Sequence, residues 1–299
     1  MSPPYAELHC LSNFSFLRGA SHPEELVQRA HALGYHALAL TDECSLAGVV
    51  RAHRAARELN FKFIVGSEFT LIDGLRLVLL AIDRESYGDL SELITHGRRA
   101  AAKGTYQLTR ADVAHYARAN LALWLPPAPE HAALADEQAQ WIVQTFPQRA
   151  WIAVTLLLNG QDRAYTEHVQ VLSERSGLPC VAVGGVCMHV RARRPLHDVL
   201  TATRLGVPVR DAGVQLQSNS ERHLRARDTL ARIYPGQLVR ESLRIAERCR
   251  FSLSELRYEF PEEIVPSGIT PTEYLRELTE RGLQQHCPQG APAKVRALV

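Results

Sequence analysis

The sequence predicts an α/β fold built on a mostly parallel sheet, and three observations carry that expectation. Short β-branched or apolar runs alternate with amphipathic stretches about every 25 to 35 residues, the rhythm of βα units. Capping residues and glycines bracket the amphipathic stretches. The longest apolar runs, such as 151–158, fall far short of the roughly 20 residues that span a bilayer. The apolar pattern therefore describes packed elements and not membrane spans.

Residues 5–9 read as a first strand. A helix follows, with Ser21 as its N-cap, Pro23 in the first turn, Glu24 and Glu25 complementing the dipole, and Gly34 closing it after Leu26, Ala30 and Leu33. Residues 36–40 form a second strand, and 45–60 a second helix with Leu46, Val49, Val50 and Leu59 apolar. A third strand spans 61–65. Asp73-Gly74 then joins 69–72 to 75–82 as a hairpin, because both residues tolerate positive φ. The sheet is therefore expected to be mixed. Alternation continues through 87–102, 119–125, 132–145, 151–158, 164–176 and a strand at 180–183. From Arg194 onward the pattern is mostly helical. Pro235-Gly236 and the stretch from Pro261 to Pro266 are the clearest breaks, and a boundary is placed between 258 and 259.

Composition narrows the function classes. The chain has 299 residues, 46% hydrophobic and 22% charged, which is globular and long enough for one large domain or two small ones. Its six cysteines include no CxxC pair, which argues for a reduced cytoplasmic protein and against a disulfide framework or zinc ribbon. The start, MSPPYAELH, has no secretory signal pattern. Net charge is only +2, yet residues 188–250 hold 13 Arg and no Lys against 6 acidic residues. That stretch is read as a solvated face first and a nucleic-acid surface second. No GxxxxGK[ST] loop or GxSxG elbow is present, so nucleotide binding or serine hydrolysis by those routes has no support.

In a parallel βα barrel the loops after the strands gather at one edge. His9 follows the first strand, Asp42 and Glu43 the second, Glu68 the third, and Gly184 to Cys187 a late one. Four distant segments are thus expected to meet in one cleft.

Those same segments carry a family resemblance. Tyr5-Ala-Glu-Leu-His9-Cys-Leu-Ser-Asn-Phe-Ser-Phe-Leu-Arg-Gly19, Ala39-Leu-Thr-Asp42-Glu43-Cys-Ser-Leu-Ala-Gly48 and Val65-Gly66-Ser-Glu68 resemble the polymerase and histidinol phosphatase (PHP) domain that opens bacterial C-family DNA polymerases. The resemblance continues in 76–81, in 186–194, in Arg222-His223-Leu and in 241–249. Residues 260–282 look like the start of the polymerase palm. The Met-His-Val-Arg and Arg-His-Leu segments resemble the error-prone, damage-inducible branch. The resemblance implies a distorted TIM-like (β/α)7 barrel over 1–258 and a truncated palm over 259–299.

Members of this family that keep their chemistry bind up to three divalent metals and hydrolyse phosphoesters, which requires imidazoles and carboxylates around a metal-bound hydroxide. Checked against the family pattern, most positions here differ. The first motif, normally His-x-His, reads His9-Cys10-Leu11, and Arg18 stands where an aspartate is expected. Thr-Asp-His has become Thr41-Asp42-Glu43. Glu68 matches. Arg76 replaces a histidine, and the late Asp-Val-His is Gly185-Val186-Cys187. His9, Asp42, Glu43, Glu68 and Cys187 are thus vestigial ligand positions, while Leu11, Arg18, Arg76 and Gly185 are lost ones.

The sequence therefore predicts a domain without catalytic residues, in which Arg18 and Arg76 pair with Glu43 and Glu68 where cations once sat. No cofactor is expected for this region, and Mg for the polymerase site of the parent. The resemblance implies translesion synthesis in the SOS response. The parent's expected partners are DNA, the beta sliding clamp and accessory mutasome proteins, besides the rest of its own chain, with no membrane partner. An active metal-dependent phosphoesterase or 3′ exonuclease is the alternative, and a free-standing binding module a third.

Overall fold

The computed structural model describes residues 3–256 and 265–298. It separates into two units, Met1–Leu256 and Arg257–Val299, and the boundary expected between 258 and 259 lies outside the described residues.

Seven strands, β1 (Ala6–Glu7), β2 (Ala37–Leu40), β3 (Lys62–Thr70), β4 (Arg76–Leu80), β5 (Leu121–Leu125), β6 (Ala150–Val154) and β7 (Cys180–Ala182), form one curled sheet in chain order. All pairings are parallel except those of β4, which runs antiparallel to both neighbours. The tight turn at Gly74 (φ +82°) reverses the chain and makes this so. One consequence positions the site: the start of β4 lies at the same edge as the ends of its neighbours. Thr70 pairs with Arg76, and Glu68 with Val78. Beyond β1 and β7 the two ends of the sheet meet through a parallel Cys10–Val186 bridge, with Leu11 N–H on the Val186 carbonyl (2.8 Å) and Val186 N–H on the His9 carbonyl (2.9 Å). The architecture is the distorted TIM-like α/β barrel expected from the sequence.

Alternation along the strands sorts their side chains into two layers. Leu38, Leu40, Leu77, Leu79, Trp124 and Ile152 belong to a core shared with helices α1 (Pro23–Ala32), α2 (Val49–Glu58), α3 (Arg84–Arg99), α4 (Arg110–Tyr116), α5 (Ala132–Thr145) and α6 (Asp162–Ser176). Ala37, Ala39, Ile64, Val78, Leu123 and Val181 belong to a second core. After α7 (Arg194–Leu205) and α8 (Arg227–Ile233), helix α9 (Gly236–Arg248) supplies Ile245 and Ala246 to that second core.

Two local details differ from the sequence reading. Ser21 is not the cap of α1; His22 occupies that place, and the Ser21 hydroxyl instead accepts from His189 N–H (2.9 Å) and lies 2.8 Å from His189 Nδ1. A tertiary partner outcompetes the local one. The strands expected at 61–65 and 69–72 are one nine-residue strand, because the chain stays paired to β4 through Gly66. In the second unit, α10 (Pro271–His286) starts at a Thr270–Glu273 capping box and is followed by α11 (Ala293–Leu298).

Gly184 stands where the two ends of the sheet meet. A Cβ on Gly184 would lie 2.4 Å from Glu7 Oε2, and the Gly184 N–H donates to that same carboxylate. Gly184→Ala is therefore expected to destabilise the chain by about 1–3 kcal/mol in urea unfolding followed by circular dichroism. Gly88→Ala, inside α3 with nothing within 4 Å of the new carbon, is expected to stabilise it by up to about 1 kcal/mol. Equal effects from the two would contradict the closure argument.

Candidate functional site

The edge where β1, β2 and β3 end gathers four segments. Glu43 and Glu68 form an isolated parallel bridge that prolongs β2 beside β3, so their side chains leave the sheet together. Glu68 is fully buried, and both its oxygens are engaged. Oε2 lies 2.6 Å from His9 Nε2, and Oε1 accepts from Arg18 Nη2 (3.1 Å) and Arg76 Nη2 (2.9 Å). Arg18 reaches on through Nη1 to Glu43 Oε2. Glu43 Oε1 accepts from the Tyr106 hydroxyl (3.0 Å), which itself accepts from Thr70 N–H (2.8 Å). Arg76 does not pair with Glu43.

The electrostatics follow from this arrangement. Burial alone would raise the Glu68 pKa, but the His9 hydrogen bond and the charges of His9, Arg18 and Arg76 hold it well below the ordinary carboxylate value. Burial likewise works against the charged form of Arg18, and Glu68 and Glu43 more than reverse it.

Asp42 and Glu7 serve elsewhere. Asp42 turns into the loop between β1 and α1, accepting from the N–H and hydroxyl of both Ser12 and Ser15 at 2.7–3.1 Å. It folds that loop so that Arg18 is presented to the edge. Glu7 accepts from Tyr5, His9 N–H and Gly184 N–H, tying β1 to the segment after β7. Burial raises both carboxyl pKa values despite these bonds. Cys187 sits on the neighbouring wall, its thiol pushed up to about 11 by burial, and Leu11 packs nearby as an apolar wall. Gly185 has φ +55°, and a side chain there would meet Arg222 at 3.0 Å and Thr155 at 3.2 Å.

That contact reveals a residue the sequence reading did not single out. Arg222 donates to the Gly185 carbonyl (3.0 Å), and its segment is held against the site by the Met188–His223 bridge. The signals available were its place in the Arg222-His223-Leu segment and in the arginine-rich stretch, neither of which assigned it a role. Other members of that stretch are structural too: Arg225 is buried on the Leu156 carbonyl and the Tyr234 hydroxyl, Arg191 pairs with Glu221 and Arg193 with Glu25. Tyr106 was also missed, because nothing in its local sequence points to this edge, and Ser12 and Ser15, though inside the first family segment, were given no role there.

These residues do not fit a multi-metal centre. Among the described residues no group of three or more His, Cys, Asp or Glu side chains is arranged to hold a metal ion. The Glu68 oxygens are saturated, the Asp42 oxygens face the loop, and a protonated Cys187 is a poor ligand.

Removing one partner of a buried pair strands the other. Glu68→Gln is expected to cost about 3 kcal/mol or more, and Arg76→Ala only about 1 kcal/mol, because the Arg76 side chain is 43% exposed. The Glu68 pKa is depressed on folding, so its contribution is fully present above the ordinary value of 4.5 and is lost as pH falls toward the folded value. The stability gap between the native chain and Glu68→Gln should therefore persist from pH 7 to 5 and narrow below 4.5 in urea titrations. A gap independent of pH would show that charge is not its origin.

Comparison with known proteins agrees with this architecture. The PHP domain family model matches residues 7–174. The error-prone DNA polymerase of Methylococcus capsulatus is 58% identical over 297 residues, covering 99% of this chain and 28% of that protein. The corresponding polymerase of Dechloromonas aromatica is 56% identical over 299 residues (98% and 29%). That of Pseudomonas aeruginosa is 53% identical over 292 residues (98% and 28%). The chain spans less than a third of the length of these relatives. With the family's domain model matching more than half of it, the chain belongs to the polymerase and histidinol phosphatase (PHP) domain family.

Proposed function

We propose that this chain is the N-terminal PHP region, with the opening helices of the palm, of an error-prone C-family DNA polymerase, and that its PHP cleft is structural and not hydrolytic. The observation that carries the second part is the saturation of Glu68 by His9, Arg18 and Arg76. A divalent ion at Glu68 would have to displace a guanidinium that already neutralises it, at a site with too few further donors. Guanidinium-carboxylate pairs then do the work of cations: they hold the ends of β1, β3 and β4 and the loop carrying Arg18 in one geometry.

In this reading the domain stabilises the remainder of the polymerase chain, its first partner. Nucleotidyl transfer, with magnesium and palm carboxylates, belongs to the longer parent. The parent would act on damaged DNA in the bacterial cytoplasm during damage-induced synthesis, with the sliding clamp and mutasome proteins. The likeness to error-prone polymerases over almost the whole chain supports this assignment.

The test is metal analysis after purification with excess manganese, together with hydrolysis of a chromogenic phosphodiester. Less than one equivalent of manganese, zinc and iron combined, and a hydrolysis rate unchanged by EDTA or by His9→Ala, are expected. Two or more tightly held ions per chain with EDTA-sensitive turnover would overturn the structural reading and restore a phosphoesterase or 3′ exonuclease.

A further inference from the structure

A second concentration of positive charge lies at the opposite edge of the barrel. There β3 begins at Lys62, paired with Ala37 at the start of β2. Glu68 stands at the far end of the same strand, roughly 20 Å away at the rise of an extended chain. Arg57, Lys62 and Arg250 line a cavity of about 380 Å³, and among the described residues no acidic side chain lines it. None of the three cations has an ion-pair partner among the described residues. Glu58, beside Arg57, pairs instead with Arg54 (3.4 Å), and Glu255 accepts from Ser252 N–H (2.8 Å). The Cys249 thiol, pushed up to about 12 by burial, adds no negative charge. Three positive charges therefore face one cavity without compensation.

The rest of the lining says what kind of anion fits. Phe61 and Phe63 are half-buried on its wall, and Phe251, also on the wall, is held by stacking on Tyr87 (4.6 Å between rings). The apolar part is thus built of rings with surface to spare. β3 is hydrogen-bonded on both sides, to β2 and to β4, so the cavity offers no free strand edge to an extended peptide. Cations beside partly exposed rings, with no backbone ladder to join, match a single strand of nucleic acid: phosphodiesters meet the cations and a base stacks on a ring.

We propose that this cavity is a single-stranded nucleic-acid site, taking one base against Phe61 and Phe63 with the flanking phosphodiesters on Arg57, Lys62 and Arg250. Arg250 closes the arginine-rich stretch, whose buried members serve the fold, and here a member of that stretch acquires a ligand. Planar guanidinium forks suit phosphate oxygens through paired N–H donors. The site lies at the other edge from the Glu68 cleft, so the inference stands whether that cleft is structural or hydrolytic.

The experiment is fluorescence anisotropy of a labelled oligothymidylate of about a dozen nucleotides, titrated with the whole chain in EDTA over a range of salt concentrations. Saturable binding is expected, with log K falling against log salt at a slope of about −2, as three neutralised phosphates of a single strand require. Arg57→Gln and Arg250→Gln, both at exposed positions, should each weaken binding severalfold and reduce that slope by about 0.7. Arg204→Gln, on the wall of the Glu68 cleft, should change neither. Phe63→Leu should weaken binding about fivefold or more and leave the affinity for an abasic strand of equal length unchanged, which separates lost stacking from lost folding. An oligouridylate should bind comparably, since cations and rings read phosphate and base and not the sugar. Absence of saturable binding at low salt, or binding that neither arginine variant weakens, would overturn the proposal. Tighter binding of a duplex, or of polyglutamate as a stand-in for an acidic peptide, would overturn it as well.

Discussion

A carboxylate with no exposure to water stays ionised only where donors replace its hydration, and Glu68 is such a group at the centre of this edge. His9 arrives from the end of β1, Arg18 from the loop before α1, and Arg76 from the start of β4. Each of the three depends on a different part of the chain being in place. Asp42 must fold the 12–15 segment before Arg18 can reach, and the Gly74 turn must reverse the chain before Arg76 can stand beside Glu68. The shared charge therefore couples these local folding events.

This coupling also explains how the cleft differs from a metal centre. A divalent ion needs several anionic or neutral donors converging on one point. Here the acidic groups diverge: Glu68 and Glu43 face arginines, Asp42 a serine loop, and Glu7 the backbone after β7. Arginine carries its charge on a long, planar, donor-only head, so it satisfies carboxylates without the close packing of ligands that a metal imposes.

How much of this was legible in the sequence varies with the range of the interaction. The βα rhythm, the Asp73-Gly74 turn and most element positions follow from local pattern. The cap of α1 did not, because His189, far along the chain, takes the Ser21 hydroxyl. The edge set of His9, Glu43, Glu68, Arg18 and Arg76 was reachable from strand ends combined with family resemblance. Arg222 and Tyr106 were not, since both arrive from segments whose local sequence says nothing about which edge they face. The arginine-rich stretch likewise seemed a uniform face, whereas burial divides it into structural members such as Arg225 and cavity-lining members such as Arg222.

By itself the sequence determined the fold class, the strand order's local units and the residue types at the strand ends, where His9 stands among carboxylates and arginines. Those are properties of residue type and spacing, which no packing can alter. Only the tertiary structure decided where each charge is spent. Asp42 stabilises a loop, Glu68 is shared among three partners, and Arg222 donates to a backbone carbonyl, because pairing of charges depends on distances between segments that sequence separation does not encode.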